Sequence, residues 1–79
     1  MPKYFFNIYP SRAAPKVDLQ GQQFTDDRSA WREAIKVAAE LVTDLQDDFE
    51  VGDEWRLEVT NDMQSAPLYV IQFSLRAIF

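Results

Sequence analysis

Asp26-Asp27-Arg28-Ser29-Ala30-Trp31-Arg32-Glu33-Ala34-Ile35-Lys36-Val37-Ala38-Ala39-Glu40-Leu41-Val42-Thr43-Asp44-Leu45 is the stretch that decides the fold. At about 100° per residue, Ala30, Trp31, Ala34, Ile35, Val37, Ala38, Leu41, Val42 and Leu45 fall in one arc of roughly 160°, with Ala39 outside it. Asp26 is placed to cap the first turn, and Asp27 follows where negative charge complements the macrodipole. The spacing predicts a helix from Asp26 to about Gln46 or Asp48, with Gly52 ending the segment or turning the chain shortly after. One broad face is built for burial. The other carries Arg28, Ser29, Arg32, Glu33, Lys36, Glu40, Thr43, Asp44 and Asp47.

Strand patterns flank this helix on both sides. Lys3 to Tyr9 alternates Tyr4/Phe6/Ile8 against Phe5/Asn7/Tyr9 and is stopped by Pro10, which reads as a first strand. Ser11 to Lys16 has no periodicity and reads as a loop whose basic charges, Arg12 and Lys16, are solvated. Val17 to Phe24 alternates weakly around Gly21 and predicts a short second strand pairing with the first. Glu54 to Asn61 alternates Trp55/Leu57/Val59 against Arg56/Glu58/Thr60, the pattern of a strand with one wet face. After a turn at Asn61 to Ser65, Leu68 to Leu75 is the fourth strand, and Pro67 can stand only at its start or on an edge. The order is ββαββ in a single domain over 1–79. A helix with one apolar arc covers one face of a four-stranded antiparallel sheet, giving a two-layer α+β fold.

The core then takes Tyr4/Phe6/Ile8, Trp55/Leu57/Val59 and Tyr69/Ile71/Phe73. The opposite sheet face shows Phe5, Tyr9, Leu68 and Val70 among polar neighbours, and Ala77-Ile78-Phe79 must fold back or meet a partner.

Composition removes whole classes of function. The 79 residues contain no His and no Cys, the side chains most used for catalysis near neutral pH and for transition-metal binding. With 47% hydrophobic and 14% aromatic residues, a chain of this size can build a core without disulfides or a metal. No run approaches the roughly 20 apolar residues that span a bilayer, and Tyr4 to Tyr9 is too short and too aromatic for a signal-peptide core; the expected compartment is the cytoplasm. The net charge of −5 is uneven, with +3 in residues 1–16, −8 in 17–54 and 0 in 55–79. An acidic middle disfavours duplex nucleic acid and membrane surfaces and favours a basic protein.

The opening Met1-Pro2-Lys3-Tyr4-Phe5-Phe6, the Asp26-to-Leu41 stretch with Glu33-Ala34 inside it, and Trp55-Arg56-Leu57-Glu58-Val59 together resemble a family of small uncharacterised bacterial proteins common in rhizobia. Those proteins open Met-Pro-Arg-Tyr-Phe/Tyr-Phe and carry an Ala-rich helix followed by a Trp-Arg-Leu-Glu-Val strand. The likeness runs in the same order over nearly the whole chain. It departs where Pro10 to Pro15 replaces the polar, often Asp- and Gly-rich turn of the family. The resemblance implies a bacterial domain of unknown function and adds no catalytic residue.

Asp44, Asp47, Asp48, Glu50, Asp53 and Glu54 are six acids in eleven residues without a base. Their spacing does not reproduce a calcium loop, so a solvated acidic corner is expected and no metal or cofactor. The serines and threonines have no His to activate them, and no enzyme activity is expected. Phe5 and Tyr9 invite comparison with sheets that stack RNA bases, but Arg12, Lys16 and Arg56 make a thin basic field.

The helix is polarised against its own dipole. Arg28, Arg32 and Lys36 occupy the first half, and Glu40, Asp44, Asp47 and Asp48 the second, an arrangement that costs about 0.3–1 kcal/mol per misplaced terminal charge. Two copies packed antiparallel along this stripe would pair basic halves with acidic halves, as isologous dimers do; drift among exposed charges explains the order equally well. The expected function is a non-enzymatic protein-interaction module, homodimeric through Arg28, Arg32, Lys36, Glu40 and Asp44 or through Phe5, Tyr9, Val70 and Phe79. The alternative is a small regulatory domain that binds single-stranded nucleic acid, or a basic toxin-like protein at the corner from Asp44 to Glu54.

Overall fold

The computed structural model describes residues 2–44 and 50–78. Its elements are β1 (Lys3–Pro10), β2 (Gln22–Gln23), α1 (Asp27–Asp44), β3 (Glu54–Asn61) and β4 (Gln64–Ser74). The expected α+β architecture is present: one four-stranded antiparallel sheet in the order β2-β1-β3-β4, with α1 against one face. β1 and β3 are the two inner strands, in register from Tyr4 opposite Asn61 to Pro10 opposite Trp55.

α1 begins as its sequence dictates. The Asp26 carboxylate accepts the Ser29 backbone N–H at 2.8 Å, satisfying one of the amides that a helix start leaves unpaired. That bond, together with Ser29's hydroxyl, holds the carboxyl below its usual range. Ala30, Ala34 and Ala38 form the buried row, and their small side chains let the helix lie close to the sheet. Tyr4, Leu57 and Val59 meet them from the strands with no exposed surface. Phe24 closes one end of this core, edge-on to Tyr4 at 5.7 Å and to Phe6 at 6.1 Å, a geometry that aromatic quadrupoles favour.

The apolar arc is narrower than its hydropathy: Ile35 and Val42 remain 47% and 45% exposed, because a single helix on a sheet buries only the side chains aimed directly at it. The expected helix end at Gln46 or Asp48, with Leu45, lies outside the described residues.

β1 takes in Pro10 and β4 ends at Ser74, each one residue from expectation; the larger differences are in β2 and at the start of β4. The second strand is not Val17 to Phe24 but the two residues Gln22–Gln23, and Leu19 is 87% exposed. Side chains, not a ladder, fix that segment: Asp18 accepts backbone N–H groups from Phe6, Gln20 and Gly21 and gives its own N–H to Asn7 Oδ1. β4 starts earlier than Leu68, at Gln64, which pairs with Asn61 across a turn at 62–63. The register then shifts between Val59 and Asn61, so residues 65–68 stand against Thr60 alone. Pro67 falls inside this bulge, on an edge strand, where no ladder donor is required of it.

Candidate interaction surface

Two i, i+4 rows of α1 run side by side on its outward side. Arg28, Arg32, Lys36, Glu40 and Asp44 form the charged row, and every one of them is exposed. Next to it run half-buried Trp31 and exposed Ile35, Ala39 and Thr43, with Val42 beyond. Such rows are the ridges with which helices pack on one another. The charged row changes sign between Lys36 and Glu40. Among the described residues, none of Arg28, Arg32 or Lys36 makes an ion pair, and no base stands in the last turn of the helix.

A shallow depression lies at each end of these rows. Arg28, Trp31, Arg32 and Tyr69 line a groove of about 540 Å³, in which the Trp31 and Tyr69 rings lie 4.9 Å apart and the Tyr69 hydroxyl bonds the Asp27 carbonyl at 3.4 Å. Ala39, Glu40, Thr43 and Asp44 line the second, of about 390 Å³. One hollow is basic and the other acidic. The hydropathy arc assigns Trp31 to the core; in the fold it stands at the core margin, leaning on Tyr69 of β4 in a groove it shares with Arg28 and Arg32. Tyr69 reaches the same groove from the far end of the chain, a proximity that no local pattern carries.

The other sheet face is less free than expected. Phe5 is half-buried, with Gly21 packed so tightly on its ring that an added Cβ would stand 2.7 Å from it. Tyr9 is covered by the Arg56 guanidinium, 4.6 Å from its ring centre, and Arg56 also pairs with Glu58 at 2.6 Å. Asn7 is buried beneath the Asp18 loop. Val70 stays half-exposed at 50%, while Phe79 lies outside the described residues. The sequence groups Phe5, Tyr9 and Val70 as one patch; the structure occupies the first two from within the chain.

The acidic corner is corrected in part. Its Asp47 and Asp48 lie outside the described residues, but Asp53 is buried, not solvated. Its carboxylate accepts the Glu50 backbone N–H at 2.9 Å and both Arg12 Nε and Nη2 at 2.8 Å. Arg12 also reaches Glu50 at 3.2 Å. The Glu50 amide and the bidentate guanidinium hold the Asp53 carboxyl below its usual range, and the same contact raises Arg12. Arg12 is therefore not merely a solvated loop charge: it ties the segment after β1 to the approach to β3. Leu75 completes the junction, giving its N–H to the Asp53 carbonyl and accepting from Gly52.

A second tie joins β1 to α1. The buried Tyr4 hydroxyl donates to Asp27 Oδ1, and this bond, aided by burial, pushes the Tyr4 pKa up to about 12. Asp18 is held low despite desolvation, because three backbone N–H bonds outweigh it.

No group of three or more Asp or Glu side chains is arranged to hold a metal ion among the described residues, and no helix there is long and apolar enough to cross a membrane. No curated protein and no solved structure shows significant similarity to the chain. A family model for a domain of unknown function, DUF6894, matches residues 3–74, the whole span from the start of β1 to the end of β4, and the chain therefore belongs to that family.

Proposed function

We propose that this is a non-enzymatic protein-interaction module of the bacterial cytoplasm that works as a homodimer, two copies meeting along the outward rows of α1. The observation that carries this reading is the sign change along the exposed charged row, beside half-buried Trp31 and exposed Ile35 and Val42. With the two-fold axis crossing the charged row midway between Lys36 and Glu40, Lys36 faces Glu40 of the partner subunit and Arg32 faces the partner's Asp44. Each basic hollow then meets an acidic one. Exposed pairs contribute about 0.2–1 kcal/mol apiece and weaken with salt; the apolar row supplies the rest.

Light scattering over a dilution series at low and high salt tests this. A dimer that loosens as salt rises is expected. Lys36→Glu alone sets a second carboxylate against Glu40 of the partner subunit and weakens assembly, and adding Glu40→Lys restores it. A monomer throughout, or indifference to Lys36→Glu, would refute the reading.

A second reading has its own support. Guanidinium groups beside Trp31 and Tyr69 suit single-stranded nucleic acid, whose bases stack on aromatics while arginine meets phosphate. A salt-sensitive mobility shift on single-stranded RNA, lost in Trp31→Ala, would favour it. A basic partner at the acidic corner is less well supported, since Arg12 already engages Asp53 and Glu50.

A further inference from the structure

We infer that the outer edge of β4 is where the second copy joins the sheet, the two β4 strands pairing antiparallel about Ile71 into one eight-stranded sheet. This rests on the self-association reading alone and moves the contact: the charged row of α1 lies opposite the buried Ala30/Ala34/Ala38 row, so in a continuous sheet it faces solvent and the copies meet at the strand edge instead. The argument begins with the direction of backbone groups. Ile8 exchanges both its N–H and C=O bonds with Lys16, and Phe6 gives its N–H to Asp18, so even-numbered residues of β1 point away from β3. In antiparallel ladders this alternates. Phe5, Asn7 and Tyr9 therefore bond to Thr60, Glu58 and Arg56, and Val59, Leu57 and Trp55 bond on to Tyr69, Ile71 and Phe73. Leu75 follows the same parity, its N–H on Asp53. Val70, Gln72 and Ser74 are left with N–H and C=O aimed outward.

The two edges of the sheet are treated differently. Along β1 the outer groups are closed in turn by Lys16, Asp18, Gln22 and, just before the strand, by the Phe24 amide on the Pro2 carbonyl. No such bond closes the outward groups of Val70, Gln72 or Ser74 among the described residues, and Gln64–Ser74 contains no charged residue. Open edges are ordinarily guarded by charge, proline or a bulge because they template further pairing. Here the proline and bulge sit at the near end, leaving the straight run from Tyr69 to Ser74 unguarded.

That run is self-complementary. With the axis at Ile71, Val70 bonds Gln72 of the partner subunit and Gln72 bonds the partner's Val70. Tyr69 falls beside the partner's Phe73, and Ile71 beside the partner's Ile71. These are the non-hydrogen-bonded positions, where side chains come closest. No charge opposes another. A two-fold normal to the sheet also sets both helices on one side, antiparallel. Trp31 leans on Tyr69, so the apolar row of α1 lies toward this seam. At about 4.8 Å per strand the two β3 strands stand about 14 Å apart, a span that Trp31, Ile35 and Val42 from both copies can fill.

Residue-resolved amide exchange on the full chain, above and below the dimer midpoint, tests the inference. Tyr69, Ile71 and Phe73 should be protected at both concentrations, whereas Val70 and Gln72 should slow by at least about tenfold only in the dimer. Val70→Pro removes an outward donor without touching the β3 ladder and should leave a folded monomer, judged by retained protection at Ile71 and Phe73. A dimer whose Val70 and Gln72 amides still exchange freely, or a dimeric Val70→Pro, overturns the edge pairing while the helix contact stands. A monomer at every concentration overturns both.

Discussion

Replacing Gly21 with alanine should cost far more than replacing Gly52, although both glycines have positive φ, 71° and 93°. An L-residue in the left-handed region costs about 1–2 kcal/mol, and that much applies to both. At Gly52 nothing lies within 4 Å of the new Cβ. At Gly21 the Cβ would stand 2.7 Å from Phe5 Cε1 and 2.8 Å from Lys3 Cγ. Lys3 can swing aside, but the Phe5 ring is half-buried and lies directly against Gly21, and such overpacking costs about 1–3 kcal/mol more. Gly21→Ala should therefore lose about 2–5 kcal/mol, a large part of the stability of a domain this small, and Gly52→Ala about 1–2. Urea unfolding followed by the fluorescence of Trp31 and Trp55 measures both. Equal losses for the two variants would refute the packing half of the argument. The variant also bears on assembly, because Gly21 anchors the segment that closes the β1 edge: loosening it should add concentration-dependent aggregation that Gly52→Ala lacks.

Other consequences follow from the two ties. Tyr4→Phe removes a hydrogen bond to a carboxylate and should cost about 1–3 kcal/mol in the same urea assay. Because the Tyr4 pKa is raised from 10 to about 12 in the fold, its contribution is complete below pH 10 and is lost as pH rises toward 12; Tyr4→Phe should flatten that alkaline decline. Asp53 has the opposite sign. Its depressed pKa stabilises the fold above the unfolded value of about 3.9 and is lost as pH falls through the folded one. Asp53→Asn should lower the melting temperature at pH 7 and shrink the difference between pH 7 and pH 3; an unchanged acid profile would refute the role given to the Arg12 contact.

The legible parts of this fold are those in which hydropathy repeats. Glu54 to Asn61 alternates without a break, and β3 has those bounds; Asp26 announces the start of α1 and caps it. The Val17 to Phe24 segment misleads because its order comes from Asp18 reaching main-chain amides, which leaves no periodic trace. Arg12 and Asp53 are distant in sequence, and Asp53 sits in an acidic run where nothing marks it as the buried member. The charged helix row was legible as a stripe; Tyr69, which turns its basic end into a groove, reaches it only through the register of β4.

The inner placement of β1 and β3 also sets an order of events in folding. β3 and β4 are joined by a two-residue turn at 62–63, so this hairpin closes a short loop. β1 must find β3 across the whole of α1 and its connections, and closing that longer loop costs more chain entropy before any contact is gained. The hairpin is thus the expected early structure and β1 the late arrival. Tyr4 travels with β1, so the bond that fixes the first turn of α1 forms only when the register of the central strands has been settled.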